Sequence, residues 1–203
     1  ETSQITDMEY LFFSCPFTEI DLSKFDTKLV TDMSYMFASC SSLISLDLSS
    51  FDTSEVLKMT NMFYSCSKIT SLDISNFNTK EVQTMEFMFN NMNELLSLDL
   101  SSFDTSKVTK FNFMFSQCTK ITSINLSNFN TNQVNTMVGI FNYCTDLVYL
   151  DISSFNTSKL DSFSNMFNYC NSLVSINLSS FNTENVENMA SMFENCYSLT
   201  SLD

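Results

Sequence analysis

Apolar and polar positions follow one pattern that returns every 26 residues. Within one block, Ser45-Leu46-Asp47-Leu48-Ser49 alternates with period two, which predicts a short strand with one buried face. Leu46 and Leu48 point inward; Ser45, Asp47 and Ser49 point outward. Further on, Val56, Met59, Met62, Phe63 and Cys66 fall at i, i+3, i+6, i+7 and i+10, which predicts a short helix with a single apolar stripe. Asp52 and Thr53 precede it, residue types whose side-chain oxygens cap free N–H groups at a helix start. The pairs Asp52/Glu55 and Asn78/Glu81 also have the spacing of a capping box. Each block therefore predicts strand, turn, short helix and return.

The register holds along the whole chain. Phe25, Phe51, Phe77, Phe103, Phe129, Phe155 and Phe181 stand 26 apart, as do Thr27, Thr53, Thr79, Thr105, Thr131, Thr157 and Thr183. A fixed period of this length is the mark of a solenoid, in which each unit buries its apolar face against its neighbours. Inward positions exchange only for similar shapes: Met59 becomes Phe111 and Phe163, Val56 becomes Leu160, and Leu46 becomes Ile124 and Ile176. Gly139 and Ile140 break the pattern, which predicts a local packing change. Residues 1–203 thus read as a single solenoid of about eight coils, roughly 35–40 Å long at the ~4.8 Å spacing of paired strands. Neither end has a polar capping coil. The expectation is either a stretch of a longer array or a protomer whose ends are covered.

The string Leu-x-Ser-Leu-Asp-Leu-Ser-Ser-Phe-Asp-Thr-x-x-Val-x-x-Met-x-x-Met-Phe-x-x-Cys resembles the leucine-rich repeat, with Phe51 and its equivalents in place of the usual ladder Asn. It is more closely similar to the 26-residue repeat of bacterial surface lipoproteins related to the BspA-like leucine-rich-repeat surface proteins. That resemblance implies a leucine-rich-repeat-like α/β solenoid with one short parallel strand and one short helix per turn. It also implies a surface-displayed, non-catalytic adhesion or interaction module, and brings no catalytic residues with it.

Composition narrows the function classes. The formal net charge is −14, with nine Lys and neither Arg nor His. Nucleic acid and anionic membrane surfaces both require clustered cations, so neither is an expected partner. No apolar run approaches the ~20 residues that cross a bilayer. Lacking His and Arg, the chain has neither the commonest general base nor the bidentate anion clamp, and its single Gly rules out a glycine-rich phosphate loop. An enzyme is not expected.

Four features carry candidate chemistry. Cys40, Cys66, Cys118, Cys144, Cys170 and Cys196 form one column with Met92 in the missing place, while Cys15 is one register out. They read as buried, reduced thiols acting as small hydrophobes rather than as disulfides, and no Cys-x-x-Cys or His supports zinc. On the outward strand face, Asp21, Asp47, Asp73, Asp99, Asn125, Asp151, Asn177 and Asp203 make a row between two serine rows, interrupted by Tyr149. Neighbouring carboxylates would repel, and a Ca²⁺ ion would relieve that; splaying into water and the two Asn rungs do so without a metal. In leucine-rich-repeat solenoids this face is concave and is the usual binding surface. Asp47, Asp73, Asp99, Asn125, Tyr149, Asp151 and Asn177 are accordingly the candidate contacts for a protein or carbohydrate partner. Glycosylation sequons stand at Asn125, Asn156 and Asn177. The Thr rows invite an ice-binding reading, but a flat array wants its threonines on a strand. The reading that results is an extracellular or cell-surface array, structural or adhesive; its alternative is the subunit of a head-to-tail extracellular fibre.

Overall fold

Each 26-residue block closes one coil, and successive coils stack in parallel register. The computed structural model describes residues 2–202; Asp203, the last rung of the Asp row, lies outside them. Where the pairing is most regular the strand segments form β1 (Ser97–Asp99), β2 (Ser123–Asn125), β3 (Ser175–Ile176) and β4 (Ser201–Leu202). β1 pairs with β2 in parallel with Leu98 against Ile124, and β3 pairs with β4 with Ile176 against Leu202. Single parallel bridges mark a second seam, running Asp7, Asp32, Lys58, Thr84, Lys110, Thr136 and then Ser162 to Asn188. The 26-residue period is thus a period in space.

The predicted short helix does not form. Residues 59–66 instead make a ribbon of overlapping turns, and the backbone N–H groups divide between two uses. Those of Met62, Tyr64 and Cys66 close turns onto the carbonyls of Met59, Asn61 and Phe63, at 3.3, 3.0 and 3.1 Å. The alternate N–H groups, of Met59, Asn61, Phe63 and Ser65, point along the stack to the carbonyls of Thr84, Glu86, Met88 and Asn90 in the next coil. A helix this short is marginal alone, and it would spend its N–H groups internally. The ribbon uses them to join coils.

That geometry places two residues of each coil in the left-handed backbone region. One set includes Tyr35, Asn61, Phe87, Phe113, Gly139, Asn165 and Ser191; the other includes Ser39, Ser65, Asn91, Gln117, Tyr143, Tyr169 and Asn195. Only Gly139 is free of the Cβ penalty. The coil-to-coil hydrogen bonds and the core hold the others. At Gly139 a second requirement operates, because a Cβ there would sit 2.3 Å from the Phe113 ring. Phe113 stacks on Phe87 at 5.3 Å on one side and covers Gly139 on the other. This is the packing change expected at that position.

The core is a set of columns. Val56, Met59, Met62, Phe63 and Cys66 are fully buried, as the apolar spacing predicts. Phe12, Phe37, Phe63, Phe89, Phe115, Phe141, Phe167 and Phe193 form one continuous ring stack with centroids 5.5–5.9 Å apart. Offset stacking of this kind adds about 0.5–1.5 kcal/mol per pair beyond area burial. The Phe51 column lies beside it, buried from Phe51 to Phe155 and partly buried at Phe25 and Phe181.

Thr53 and its equivalents also act otherwise than as helix caps. The buried Thr53 hydroxyl accepts the N–H of Asn78 at 2.8 Å and donates to the carbonyl of the same residue at 3.0 Å. The same two-way clasp joins Thr27 to Asp52, Thr105 to Asn130, Thr131 to Asn156 and Thr157 to Asn182. These threonines are 0–2% exposed, so they are not a surface array and the ice-binding reading fails.

Candidate strand-face binding surface

On the strand flank the inward residues Leu48, Leu98, Leu100 and Leu150 are buried, while Ser45, Asp47 and Ser49 are exposed. The outward acidic residue of each coil does local work first. Oδ1 of Asp47 accepts the N–H of Ser49 at 3.0 Å, and Asp21, Asp73, Asp99, Asn125, Asp151 and Asn177 repeat the bond two residues on, at 2.9–3.1 Å. The hydroxyls of Ser75 and Ser153 also donate to Asp73 and Asp151, at 2.7 Å. This side-chain turn bends the chain off the strand toward Phe51, and Asp and Asn are the residues that form it. The candidate residues Asp47, Asp73, Asp99, Asn125, Tyr149, Asp151 and Asn177 all lie exposed on this flank, in successive coils.

The electrostatics follow from those bonds. Hydrogen bonds from Ser49 hold the Asp47 carboxyl below its ordinary value, against the opposing charge of Asp21. Those of Ser75, Ser101 and Ser153 do the same for Asp73, Asp99 and Asp151. Asn125 relieves the row further by donating its side-chain amide to Oδ1 of Asp99 at 3.0 Å. Among the described residues no group of three or more His, Cys, Asp or Glu side chains gathers around one point. The strand face carries carboxylates in file, not in a cage.

The flank has an apolar margin that the sequence pattern left unremarked. The residue one before the Ser45 row runs Ile44, Thr70, Leu96, Thr122, Val148, Val174 and Thr200, with coil-to-coil bonds such as Leu96 N–H to Thr70 O at 3.1 Å. Ile44, Leu96, Val148 and Val174 are about half exposed, and Tyr149 beside them is 66% exposed. Ion pairs lie on other flanks, where lysines meet acids of the preceding coil: Lys58 with Asp32 at 2.9 Å, Lys120 with Glu94 at 2.6 Å, and Lys107 with Glu81.

The remaining candidates have definite places. All seven cysteines are free thiols. The buried ones donate Sγ–H to a phenylalanine carbonyl of the preceding coil: Cys66 to Phe37 at 3.1 Å, Cys118 to Phe89 at 3.1 Å, Cys144 to Phe115 at 3.2 Å and Cys170 to Phe141 at 3.2 Å. Burial pushes these thiols up, that of Cys118 to about 12. The sequon residues Asn125, Asn156 and Asn177 are exposed. The Asn125 amide is engaged by Asp99 and that of Asn156 by Asn132 at 2.8 Å.

Comparison with known proteins places this repeat. Three overlapping stretches, residues 1–96, 58–148 and 120–202, match the family described as "Mycoplasma protein of unknown function, DUF285". No curated protein matches the chain. Among solved structures it is similar to a leucine-rich repeat protein of T. pallidum, TpLRR, at 14% identity and TM-score 0.41, over 70% of this chain and 71% of that one. It is also similar to a leucine-rich cell surface protein from Faecalibacterium prausnitzii A2-165, at 15% identity and TM-score 0.33, over 98% and 76% of the two chains. A third is the functional domain of InlJ from Listeria monocytogenes, which includes a cysteine ladder, at 16% identity and TM-score 0.25, over 92% of this chain and 46% of that one. The repeat that carries the strand flank, the Thr clasp and the ring stack is the unit matched from residue 1 to residue 202, and the chain belongs to the DUF285 family.

Proposed function

We propose that this chain is a non-catalytic repeat protein, displayed at the cell surface or outside the cell, whose strand face binds a protein or carbohydrate partner. The observation that supports this most is how the acidic row is built. Each carboxylate commits Oδ1 to its own coil's turn and carries a second oxygen, Oδ2, on an exposed side chain. The same small set of polar groups thus recurs coil after coil in fixed register. A partner touching several coils would gain from contacts that are individually weak, because each later contact forms within an existing complex. The face offers no general base other than carboxylates in file, which supports binding over catalysis.

The test compares wild type with the triple variant Asp47→Asn/Asp73→Asn/Asp99→Asn on an array of oligosaccharides and purified extracellular proteins. Asn fills this row at positions 125 and 177 and makes the same turn bond, so the variant keeps its fold. Retention of at least one probe by wild type, weakened about tenfold in the variant, is the expected result. Equal retention of every probe by both proteins, or of none by wild type, would overturn the reading.

A further inference from the structure

One coil of the strand face carries an aromatic ring in its outward serine row. At the position held by Ser45, Ser71, Ser97, Ser123 and Ser175, the sixth full coil has Tyr149. The ring is 66% exposed and borders a shallow groove of about 300 Å³, lined also by Asp151, Ser153, Ser175 and Asn177. Val148 and Val174, each close to half exposed, immediately precede the lining residues Tyr149 and Ser175 in the chain. Asp151 is unusual in its row because both neighbouring rungs, Asn125 and Asn177, are neutral. Its Oδ1 is occupied by the N–H and hydroxyl of Ser153, and its Oδ2 receives no hydrogen bond among the described residues. The groove thus combines one aromatic face, one isolated negative charge, amide and hydroxyl groups, and an aliphatic margin. No lysine stands on the strand positions 44–49 or their equivalents in coils from Thr70 to Leu202.

We propose that this groove receives a single arginine or lysine side chain of a protein partner. The cation would lie against the Tyr149 ring, where an aromatic face attracts positive charge, with the Asp151 carboxylate as its counter-ion. The alkyl stem and an apolar neighbour in the partner would cover Val148 and Val174, as long basic side chains do. The chain's net charge of −14 draws a cationic partner to this face and excludes an acidic one. A sugar ring could also lie on a tyrosine, but it would leave the isolated carboxylate without a counter-charge and the two valines uncovered. The inference deepens the strand-face reading and rests on it.

The test uses the full chain and two short peptides, acetyl-Leu-Arg-Val-amide and its neutral isostere with citrulline in place of arginine, followed by NMR of the tyrosine rings. The arginine peptide is expected to shift the Tyr149 resonances saturably, and the citrulline peptide to bind at least about fivefold more weakly. Tyr149→Ser and Asp151→Asn each restore the residue found in sister coils, so both keep the fold; each is expected to weaken the arginine peptide about two- to fivefold. Ser97→Tyr, which sets a ring beside Asp99, is expected to add a second site. Equal binding of the two peptides, indifference to Tyr149→Ser, or displacement by a neutral oligosaccharide at similar concentration would overturn the groove assignment. Such a result leaves the wider face intact if the triple Asp variant still loses its partner on the array. Failure on the array, with the arginine peptide still bound through Tyr149 and Asp151, would sink the several-coil contact and confine strand-face binding to this groove.

Discussion

The Thr105 hydroxyl and the backbone of Asn130 satisfy one another completely: the hydroxyl takes the Asn130 N–H at 2.8 Å and gives its proton to the Asn130 carbonyl at 3.0 Å. Thr105 is fully buried. One small side chain therefore replaces two backbone pairings between coils at a corner where the chain is too bent for a ladder. Its repetition is what makes a row of threonines necessary.

Thr105→Val keeps the shape and removes the hydroxyl, stranding a part-buried donor and acceptor on Asn130. The expected cost is about 2–4 kcal/mol, read as a fall in the urea midpoint. Thr105→Ser retains both bonds and is expected to cost about 1 kcal/mol, mostly for the lost methyl. Equal losses for Val and Ser would show that packing, not the clasp, holds this corner.

Gly139→Ala would press a methyl group against the Phe113 ring in a left-handed conformation. The conformation alone costs about 1–2 kcal/mol and the displaced ring adds to it, for an expected total of about 2–4 kcal/mol. In the Phe113→Ser background the same substitution should cost only the conformational part. A double-mutant cycle by chemical denaturation checks this, and strict additivity would contradict the ring-on-glycine contact.

Stability should depend on pH through the strand-face carboxylates. Asp21, Asp47, Asp73, Asp99 and Asp151 all have folded values below the ordinary one, chiefly through serine hydrogen bonds. The folded state therefore binds protons less readily than the unfolded chain, so the stabilisation is present at neutral pH. It declines as pH falls through about 4 and is lost below the folded values. Thermal midpoints should be flat from about pH 7 to 5 and drop by pH 3. The Asp47→Asn/Asp73→Asn/Asp99→Asn variant should drop less, and an identical acid profile would count against these bonds.

Thiol accessibility should follow the stack. Cys15 and Cys196, in the coils nearest each end, are only partly buried, whereas Cys66, Cys118, Cys144 and Cys170 are fully enclosed. In the folded protein at pH 8, iodoacetamide should modify Cys15 and Cys196 first and leave Cys118 untouched until denaturant is added. Mass spectrometry of peptides reads this out. Early labelling of Cys118 would mean that the middle coils open locally.

Much of the architecture was legible because burial repeats more faithfully than conformation. Val56, Met59, Met62, Phe63 and Cys66 are inward as their spacing requires, yet the segment is a ribbon and not a helix. Steps of three and four residues return a side chain to the same side in either arrangement. What separates them is the destination of alternate N–H groups, which lies in the next coil and outside any single-block window. The same blindness made Thr53 look like a helix cap, since its partner is Asn78. On the strand flank the alternation places Asp47 and Tyr149 outward, and both are exposed. Val148 and Val174 passed unnoticed because β-branched residues are ordinary in strands; only their exposure sets them apart.

The direction of the ribbon bonds has an electrostatic corollary. From Met59, Asn61, Phe63 and Ser65 they all run toward the following coil, while those from Leu57 and Leu96 run toward the preceding one. Four N–H groups of each ribbon point one way and only the Leu57 and Leu96 types point the other, so the peptide dipoles cancel only in part along the long axis. Each added coil repeats the same excess of forward-pointing amides, so the rod keeps a direction as it lengthens.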